Sequence, residues 1–204
     1  MKTVFLLGGK IGSGKNFVFE MMKKEFERRG KKCEHIYFAK ALKDMSRDAF
    51  KPLANHMNEL AKNALDDGDP ELAEKLRIKD ENWYENKTDI TRMIIQAVGT
   101  DFVRRVDPDF WVKQAAIAIQ STEADCFFVT DFRFPNEYYS LKDMLPGAKI
   151  IPVKIDRKIE RGGVVHQHAS ELALDDFKHF EVIIDNNGTP KETEEKIKAF
   201  AASM

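Results

Sequence analysis

Apolar residues in this chain form short runs that alternate with longer stretches of helical spacing. Five such runs predict buried strands, at residues 3–9, 33–39, 125–131, 148–155 and 180–185. Between the first two runs, Phe19, Met22 and Phe26 recur at the spacing of one helix face, and Gly30 ends that helix. Strands alternating with helices predict an α/β fold with a five-stranded, mainly parallel sheet flanked by helices. Pro152 weakens the fourth strand or places it at a sheet edge.

The stretch from 40 to 88 interrupts this alternation. Its first part has helical spacing, and Pro52 predicts a break in that helix. Residues 66–88 are charged and poorly periodic, and they are too polar to hold a core of their own. We therefore expect a mobile lobe or a long loop there, not a linker between independent domains.

Two further helices carry start signals. After helical spacing over 89–106, Asp107 is a predicted N-cap and Pro108 the first helical residue. Near the end of the chain, Thr189 and Glu192 flank a proline in the arrangement of a capping box. Both signals predict helices that pack on the sheet.

The composition is that of a globular protein. Its 204 residues are 43% hydrophobic and 33% charged, which suits one domain with a real core. A net charge of −1 argues against a chain built to bind nucleic acid. Cys33 and Cys126 lie in apolar runs and predict buried, reduced thiols. No apolar run approaches about 18 residues and no signal-peptide pattern is visible, so we expect a cytoplasmic protein without membrane contact. The sequence leaves open whether the protein forms a homodimer.

The first strand runs into a glycine-rich turn that matches a phosphate-binding loop in all but its last position. Gly9, Gly14 and Lys15 satisfy the pattern, but Asn16 stands where Ser or Thr is usual. Glycines let successive backbone N–H groups point into one concavity, and the next helix adds its positive end. The predicted nucleotide-binding residues are Gly9, Lys10, Gly12, Ser13, Gly14, Lys15 and Asn16.

The hydroxyl normally found after the lysine is a ligand to Mg²⁺. Asn16 offers a neutral carbonyl oxygen instead, which leaves open whether it contacts the ion directly, through a water molecule, or not at all. Asp131 ends the third predicted strand. Enzymes with a phosphate-binding loop hold the hydration shell of Mg²⁺ with a carboxylate at this position. The alternative is that Asp131 only caps the loop that follows it. For Asn136 and Glu137, capping of the next helix is the expected role.

Phosphoryl transfer needs cations around the moving group. Arg157 and Arg161 follow the fourth strand and precede a pair of glycines that suits a closing flap. The other candidates are Arg104, Arg105 and Arg133, and adjacent helical residues such as the first two do not both face one site.

His166, His168 and Glu171 have a spacing that suggests a metal site, but a helix would separate the two imidazoles. A plainer interpretation takes Ser170 as the N-cap of a helix.

Several stretches together resemble the deoxynucleoside monophosphate kinases of tailed bacteriophages, within the adenylate-kinase-like P-loop kinases. They read GGKIGSGKN, FAKALKD, IIQAVGTDFVRRVDPDFWV, VTDFRFPNE and HASE, in the family's order. The resemblance implies transfer of the ATP γ-phosphoryl group to a deoxynucleoside 5′-monophosphate with Mg²⁺. It implies a P-loop kinase core (1–39 and 109–204), an inserted helical monophosphate-binding lobe (40–108) and a lid (157–170). It also implies the host cytoplasm if a phage encodes the protein.

The same resemblance implies residue roles. Lys15 would serve the ATP phosphates and Asp131 the metal or substrate. Arg157 and Arg161 would be lid arginines, so that the implied catalytic set is Lys15, Asp131, Arg133, Arg157 and Arg161. The implied substrate-binding set is Lys43, Arg104, Trp111, Asp131 and Arg133. In this family a carboxylate often follows the loop lysine, so Asn16 departs from the pattern less than it first seems.

Two alternatives stay open from the sequence. A related small-molecule kinase, such as a dephospho-coenzyme A or phosphomevalonate kinase, would share the loop and the sheet and differ in the acceptor lobe. A non-catalytic nucleotide-binding switch would need no transition-state cations, and the predicted lid arginines argue against it.

Overall fold

A computed structural model describes residues 1–77, 97–158 and 172–204. These residues form two compact units. The first comprises residues 1–38 together with 109–204, and the second comprises 39–108.

Five parallel strands form the sheet of the first unit, in the order β2-β3-β1-β4-β5. They are β1 (Thr3–Gly8), β2 (Cys33–Ile36), β3 (Cys126–Phe132), β4 (Lys149–Asp156) and β5 (Val182–Asp185). The described helices are α1 (Lys15–Arg28), α2 (Ala39–Asp66), α3 (Pro70–Leu76), α4 (Arg104–Val106), α5 (Phe110–Ser121), α6 (Pro135–Met144) and α7 (Pro190–Ala202), and a π-helical stretch (Ala97–Val103) leads directly into α4. The predicted α/β fold with five strands is confirmed. Among the described helices, none is long and apolar enough to cross a membrane.

The central strand β1 is covered on both faces, since every residue from Val4 to Leu7 is apolar and fully buried. Phe5 packs with Phe26 of α1 and Phe128 of β3, with ring centroids 5.0 Å apart in both pairs. Alternate residues of a strand point to opposite faces, so the equally buried Leu6 faces the side opposite to Phe5. Helices α1 and α7 pack together on the first face. Because β1, β3 and β4 are parallel, the loops that follow them emerge at the same edge of the sheet.

Pro152 lies inside an interior strand, so its predicted edge position is wrong. Strand β4 pairs with β1 on one side and with β5 on the other. Pairing with β5 begins only at Val153, opposite Val182, and the carbonyl oxygen of Pro152 accepts from the backbone N–H of Glu181 at 3.0 Å. The missing N–H of the proline therefore falls just before β5 begins, where no ladder bond is lost.

The predicted start of helix α5 is also wrong by two residues. Asp109, not Asp107, is the N-cap residue, and its side chain caps nothing. Asp109 Oδ1 instead accepts from Asn136 Nδ2 at 2.9 Å and from Ser140 Oγ at 2.7 Å, which ties the start of α5 to helix α6. By contrast, the capping box of α7 is confirmed, since Thr189 and Glu192 exchange side-chain and backbone hydrogen bonds.

The second unit differs from its prediction in two places. Helix α2 continues through Pro52 without a break, because Ala54, Ala61 and Ala64 are buried along one face and α3 packs on this helix. The charged stretch predicted as a mobile lobe or a long loop contains α3, whose N-cap Asp69 accepts from the backbone N–H of Leu72 at 2.9 Å. Residues 78–96, which complete that stretch and hold most of the helical pattern before α4, lie outside the described residues.

Candidate active site

The turn between β1 and α1 has the backbone of a phosphate-binding loop. Gly12 and Gly14 adopt φ angles of 81° and 89°, which residues with a side chain rarely adopt. Gly14 is the N-cap of α1 without any side-chain cap, and the first turn of the helix carries no acidic residue. The positive end of α1 therefore faces the loop without a competing side-chain carboxylate, which favours an anion there.

Lys15 is folded across this loop. Its Nζ donates to the carbonyl oxygen of Gly9 at 2.6 Å and to that of Lys10 at 3.0 Å. The ammonium group thus lies within the concavity that the loop forms. A bound anion can replace the two carbonyl oxygens as its hydrogen-bond acceptor.

Ser13 provides the clearest local test of a phosphate site. Its side chain is 1% exposed, and Oγ is a buried side-chain polar atom that finds no hydrogen-bond partner within the described parts of the chain. A buried hydroxyl without a partner costs free energy, and a phosphate oxygen in the loop would satisfy it. The loop residues therefore fit a polyphosphate.

The strand ends converge on this loop as the sequence predicts. Gly8 of β1 pairs with Phe132 of β3 and with Lys154 of β4. The guanidinium of Arg157, just after β4, lies so close to Gly14 that a Cβ atom on that glycine would be 3.9 Å from Arg157 Nη1. Arg157 is exposed. It is thus a cation at the mouth of the loop.

Asp131 is near the end of β3 and is half-buried. Its Oδ1 accepts from the backbone N–H of Phe38 at 2.9 Å, so this carboxylate holds the chain where β2 leads to α2. A structural contact thus accompanies the predicted role in metal or substrate binding, which stays a prediction.

Arg133 is positioned by a buried carboxylate. Glu137, which is fully buried, accepts at Oε2 from the backbone N–H groups of Arg133 at 2.8 Å and Phe134 at 3.0 Å. This confirms that Glu137 caps helix α6. Asn136, the other expected cap, binds Asp109 instead.

The chain segment before β5 covers the same edge of the sheet. A Cβ atom on Gly8 would lie 3.1 Å from Leu174 and 3.2 Å from Phe180, and Asp175 forms an ion pair with Lys10 of the loop. Several predicted residues precede this segment and lie outside the described residues, namely Arg161, His166, His168, Ser170 and Glu171. Among the residues that are described, no group of three or more His, Cys, Asp or Glu is placed to hold a metal ion.

The remaining predicted residues lie on helices. Lys43 on α2 and Arg104 on α4 belong to the second unit, and both are half-buried while Arg105 is exposed. Trp111 on α5 is only 2% exposed and packs edge to face on Phe110, with ring centroids 4.8 Å apart. Its burial gives it little surface for a substrate. The predicted substrate-binding roles of these residues stay predictions.

Comparison with known proteins adds to this geometry. The sequence profile described as deoxynucleotide monophosphate kinase matches residues 38–197 of the chain. The chain belongs to this family. The protein is therefore a kinase, that is, a phosphotransferase, and the family implies ATP as the phosphoryl donor and a nucleotide substrate. The predicted family resemblance is confirmed, apart from a phage origin.

The other comparisons say less. No curated protein matches the sequence of this kinase. A gluconokinase from Sinorhizobium meliloti 1021 is similar in structure, with 15% identity, a TM-score of 0.43 and coverage of 99% of this chain and 92% of that one.

One residue beside the loop was not predicted from the sequence. Asn186, directly after β5, is 6% exposed, and its Nδ2 donates to the carbonyl oxygen of Ser13 at 2.9 Å. Its Oδ1 accepts from Thr193 Oγ1 of α7 at 3.0 Å. The only sequence signal was a polar turn between a strand and a helix, which is typical of any such connection.

Proposed function

We propose that this kinase transfers the γ-phosphoryl group of ATP to a deoxynucleoside 5′-monophosphate, giving the diphosphate and ADP. Two independent observations support the proposal. The family profile matches from residue 38 onwards, whereas the phosphate-binding loop lies before that residue. The loop and the matched residues therefore do not overlap, and each supports the proposal by itself. The match over residues 38–197 is the observation on which the choice of acceptor depends.

In this proposal the chain acts mainly by binding and by placing positive charge. Backbone N–H groups of the loop, the start of α1 and Lys15 hold the β- and γ-phosphates. An oxygen of the acceptor phosphate attacks the γ-phosphorus, and the bond from that phosphorus to the β,γ-bridging oxygen breaks as ADP leaves. Arg133, Arg157 and Arg161 supply cations as negative charge spreads over the transferred group.

Asn16 and Asp131 are the residues that we assign to Mg²⁺. Both carry oxygen donors, which this hard cation prefers, and Mg²⁺ usually takes only one or two protein ligands beside the phosphates. The ion would neutralise charge on the phosphates. Asp131→Asn tests the assignment, because an amide oxygen still accepts from the N–H of Phe38. We expect an unchanged melting temperature and a raised Mg²⁺ requirement; an unchanged Mg²⁺ titration contradicts the assignment.

We assign acceptor binding to Lys43, Arg104, Asp131 and Arg133, with residues 40–108 as the acceptor lobe and 157–170 as the lid. We also place the protein in the cytoplasm, because Cys33 and Cys126 are buried and free, as expected in a reducing compartment.

The direct experiment is a coupled assay of ADP release with a panel of acceptors. The panel contains the four common deoxynucleoside monophosphates, dephospho-coenzyme A and phosphomevalonate. We expect ADP release with at least one deoxynucleotide, and a deoxynucleoside diphosphate in the products. Release with only one of the other two acceptors overturns the proposal. Tight ATP binding without release for any acceptor indicates a nucleotide-binding switch instead.

Three substitutions connect this activity to the site. Lys15→Ala should lower kcat by roughly 10²–10³, since a cation aimed at the transition state is lost. Arg104→Ala should raise KM for the acceptor, and the adjacent, exposed Arg105 provides the matched control, for which we expect wild-type kinetics from Arg105→Ala. Wild-type turnover of Lys15→Ala, or equal effects of the two arginine substitutions, contradicts the assignment.

A further inference from the structure

Two buried side-chain hydrogen bonds link the end of β5 to the phosphate-binding loop and to helix α7. Asn186 Oδ1 accepts a hydrogen bond from Thr193 Oγ1, and Asn186 Nδ2 donates one to the carbonyl oxygen of Ser13. Both bonds are buried. The backbone N–H of Asn186 donates to the carbonyl oxygen of Asp156 at 2.8 Å, which fixes the residue at the end of β4. Thr193 is fully buried in α7. The loop is thus attached to two rigid elements through one amide.

The chemistry of the partners fixes the orientation of that amide. The carbonyl oxygen of Ser13 can only accept a hydrogen bond, so it must face the NH₂ group of Asn186. The hydroxyl of Thr193 can donate to the amide oxygen on the other side. A flipped amide would bring two oxygens together at Ser13, so only one orientation satisfies both neighbours.

This contact determines where the next N–H group points. The described chain contains no cis peptide bond, and in a trans peptide the C=O and the following N–H point in opposite directions. By holding the carbonyl of Ser13, Asn186 directs the N–H of Gly14 away from itself. Gly14, at φ 89°, is a residue around which an unheld peptide plane can turn easily.

The same contact explains why position 14 is glycine in a second way. A Cβ atom on Gly14 would collide with Asn186 Nδ2. The close approach of this amide therefore needs the absence of a side chain, in addition to the positive φ angle. The position of Asn186 thus restricts residue 14 to glycine, although the two residues lie far apart in the sequence.

We propose that Asn186 is a positioning residue for the phosphoryl donor. It holds the peptide between Ser13 and Gly14 in the orientation that presents the N–H of Gly14 to the donor phosphates, and Thr193 holds Asn186. The inference rests on the donor half of the proposed function and is independent of the acceptor. Because the hydrogen bonds are arranged before the donor binds, the loop spends no binding energy on turning this peptide.

Three variants test the proposal. Asn186→Leu keeps the number and branching of the side-chain heavy atoms and removes both hydrogen bonds. Thr193→Val replaces the hydroxyl by a methyl group and changes no charge, and Thr193→Ser is its matched control because it keeps the donor. Each variant is titrated with ATP in a calorimeter without acceptor, its melting temperature is measured, and KM is determined separately for ATP and for the best acceptor.

We expect Asn186→Leu to weaken ATP binding about tenfold or more, the size of one lost buried hydrogen bond. Thr193→Val should weaken it in the same direction and less, while Thr193→Ser binds ATP like the wild type. KM for the acceptor should change by less than about twofold in all three variants. If Asn186→Leu does not fold, the comparison of Thr193→Val with Thr193→Ser decides.

A lowered melting temperature with wild-type affinity for ATP overturns the proposal, because it shows a role in folding alone. Equal rises in KM for ATP and for the acceptor overturn it as well. Should the wild type bind ATP but phosphorylate no deoxynucleoside monophosphate, the proposed acceptor is wrong, and the ATP titrations still decide the role of Asn186.

Discussion

Glu137 offers the sharpest link between a buried contact and catalysis. Its carboxylate accepts hydrogen bonds from the backbone N–H groups of Arg133 and Phe134 at the positive end of α6. Its side chain is fully buried. Two substitutions separate its contributions. Glu137→Gln keeps an oxygen that can accept these bonds and removes the charge, whereas Glu137→Ala removes the acceptor.

The magnitudes follow from these contacts. A charge-assisted hydrogen bond is roughly twice as strong as a neutral one, and a negative charge at a helix start adds up to about 1 kcal/mol, so Glu137→Gln should lower the free energy of unfolding by about 1–2 kcal/mol. Each buried donor left without a partner costs about 1–3 kcal/mol. The two donors here are part-buried, so we expect a loss of about 2–4 kcal/mol for Glu137→Ala from the low end of that range.

Urea unfolding at neutral pH measures both losses, and steady-state kinetics follow the effect on Arg133. We expect KM for the acceptor to rise in Glu137→Ala more than in Glu137→Gln, with KM for ATP almost unchanged. If Glu137→Ala is as stable as Glu137→Gln, the carboxylate oxygen does not hold the two N–H groups. If both variants keep the wild-type KM for the acceptor, the turn does not position Arg133 for substrate.

Three further predictions concern other parts of the chain. Asn16→Thr restores the usual hydroxyl, and we expect equal activity at a lower Mg²⁺ concentration; loss of activity in a Mg²⁺ titration would show that the amide has a specific role. Two neighbouring arginines lower the pKa of Glu25 to about 2 from 4.5, mainly by hydrogen bonding. Its stabilising contribution is therefore complete above about pH 4.5 and lost as the pH falls towards 2, and acid titrations of unfolding should show a weaker decline over this range in Glu25→Gln. Lys2 Nζ donates to three carbonyl oxygens at the end of α5, at 2.5–2.9 Å, and Lys2→Met should cost about 1–2 kcal/mol in urea unfolding, whereas an unchanged midpoint would show that water replaces the ammonium.

The predictable parts of this molecule are those that local patterns encode. Apolar runs predicted all five strands, and the loop residues from Gly9 to Lys15 were recognisable because glycine spacing and the following helix lie together in the sequence. At Pro52 the local rule fails, because packing along the buried face of α2 outweighs the hydrogen bond lost with the missing N–H.

The supporting contacts of the site could not be predicted, because they join distant residues. The partner of Asn186 is Ser13, 173 residues away in the sequence, and the partner of Asp131 is the backbone of Phe38, 93 residues away. No local pattern distinguishes such a buried amide or carboxylate from the polar residues of an ordinary turn.

Asp131 and Asp109 stand at the two places where the chain leaves the first unit and returns to it. One carboxylate fastens Phe38, directly before residue 39, and the other fastens the chain directly after residue 108 to helix α6. Both chain ends of the first unit, before residue 39 and after residue 108, are thus held by hydrogen bonds within the first unit. We expect the segment between them to be exchangeable with its counterpart from another kinase of the family, so that acceptor preference can diverge in evolution while the donor site is inherited intact.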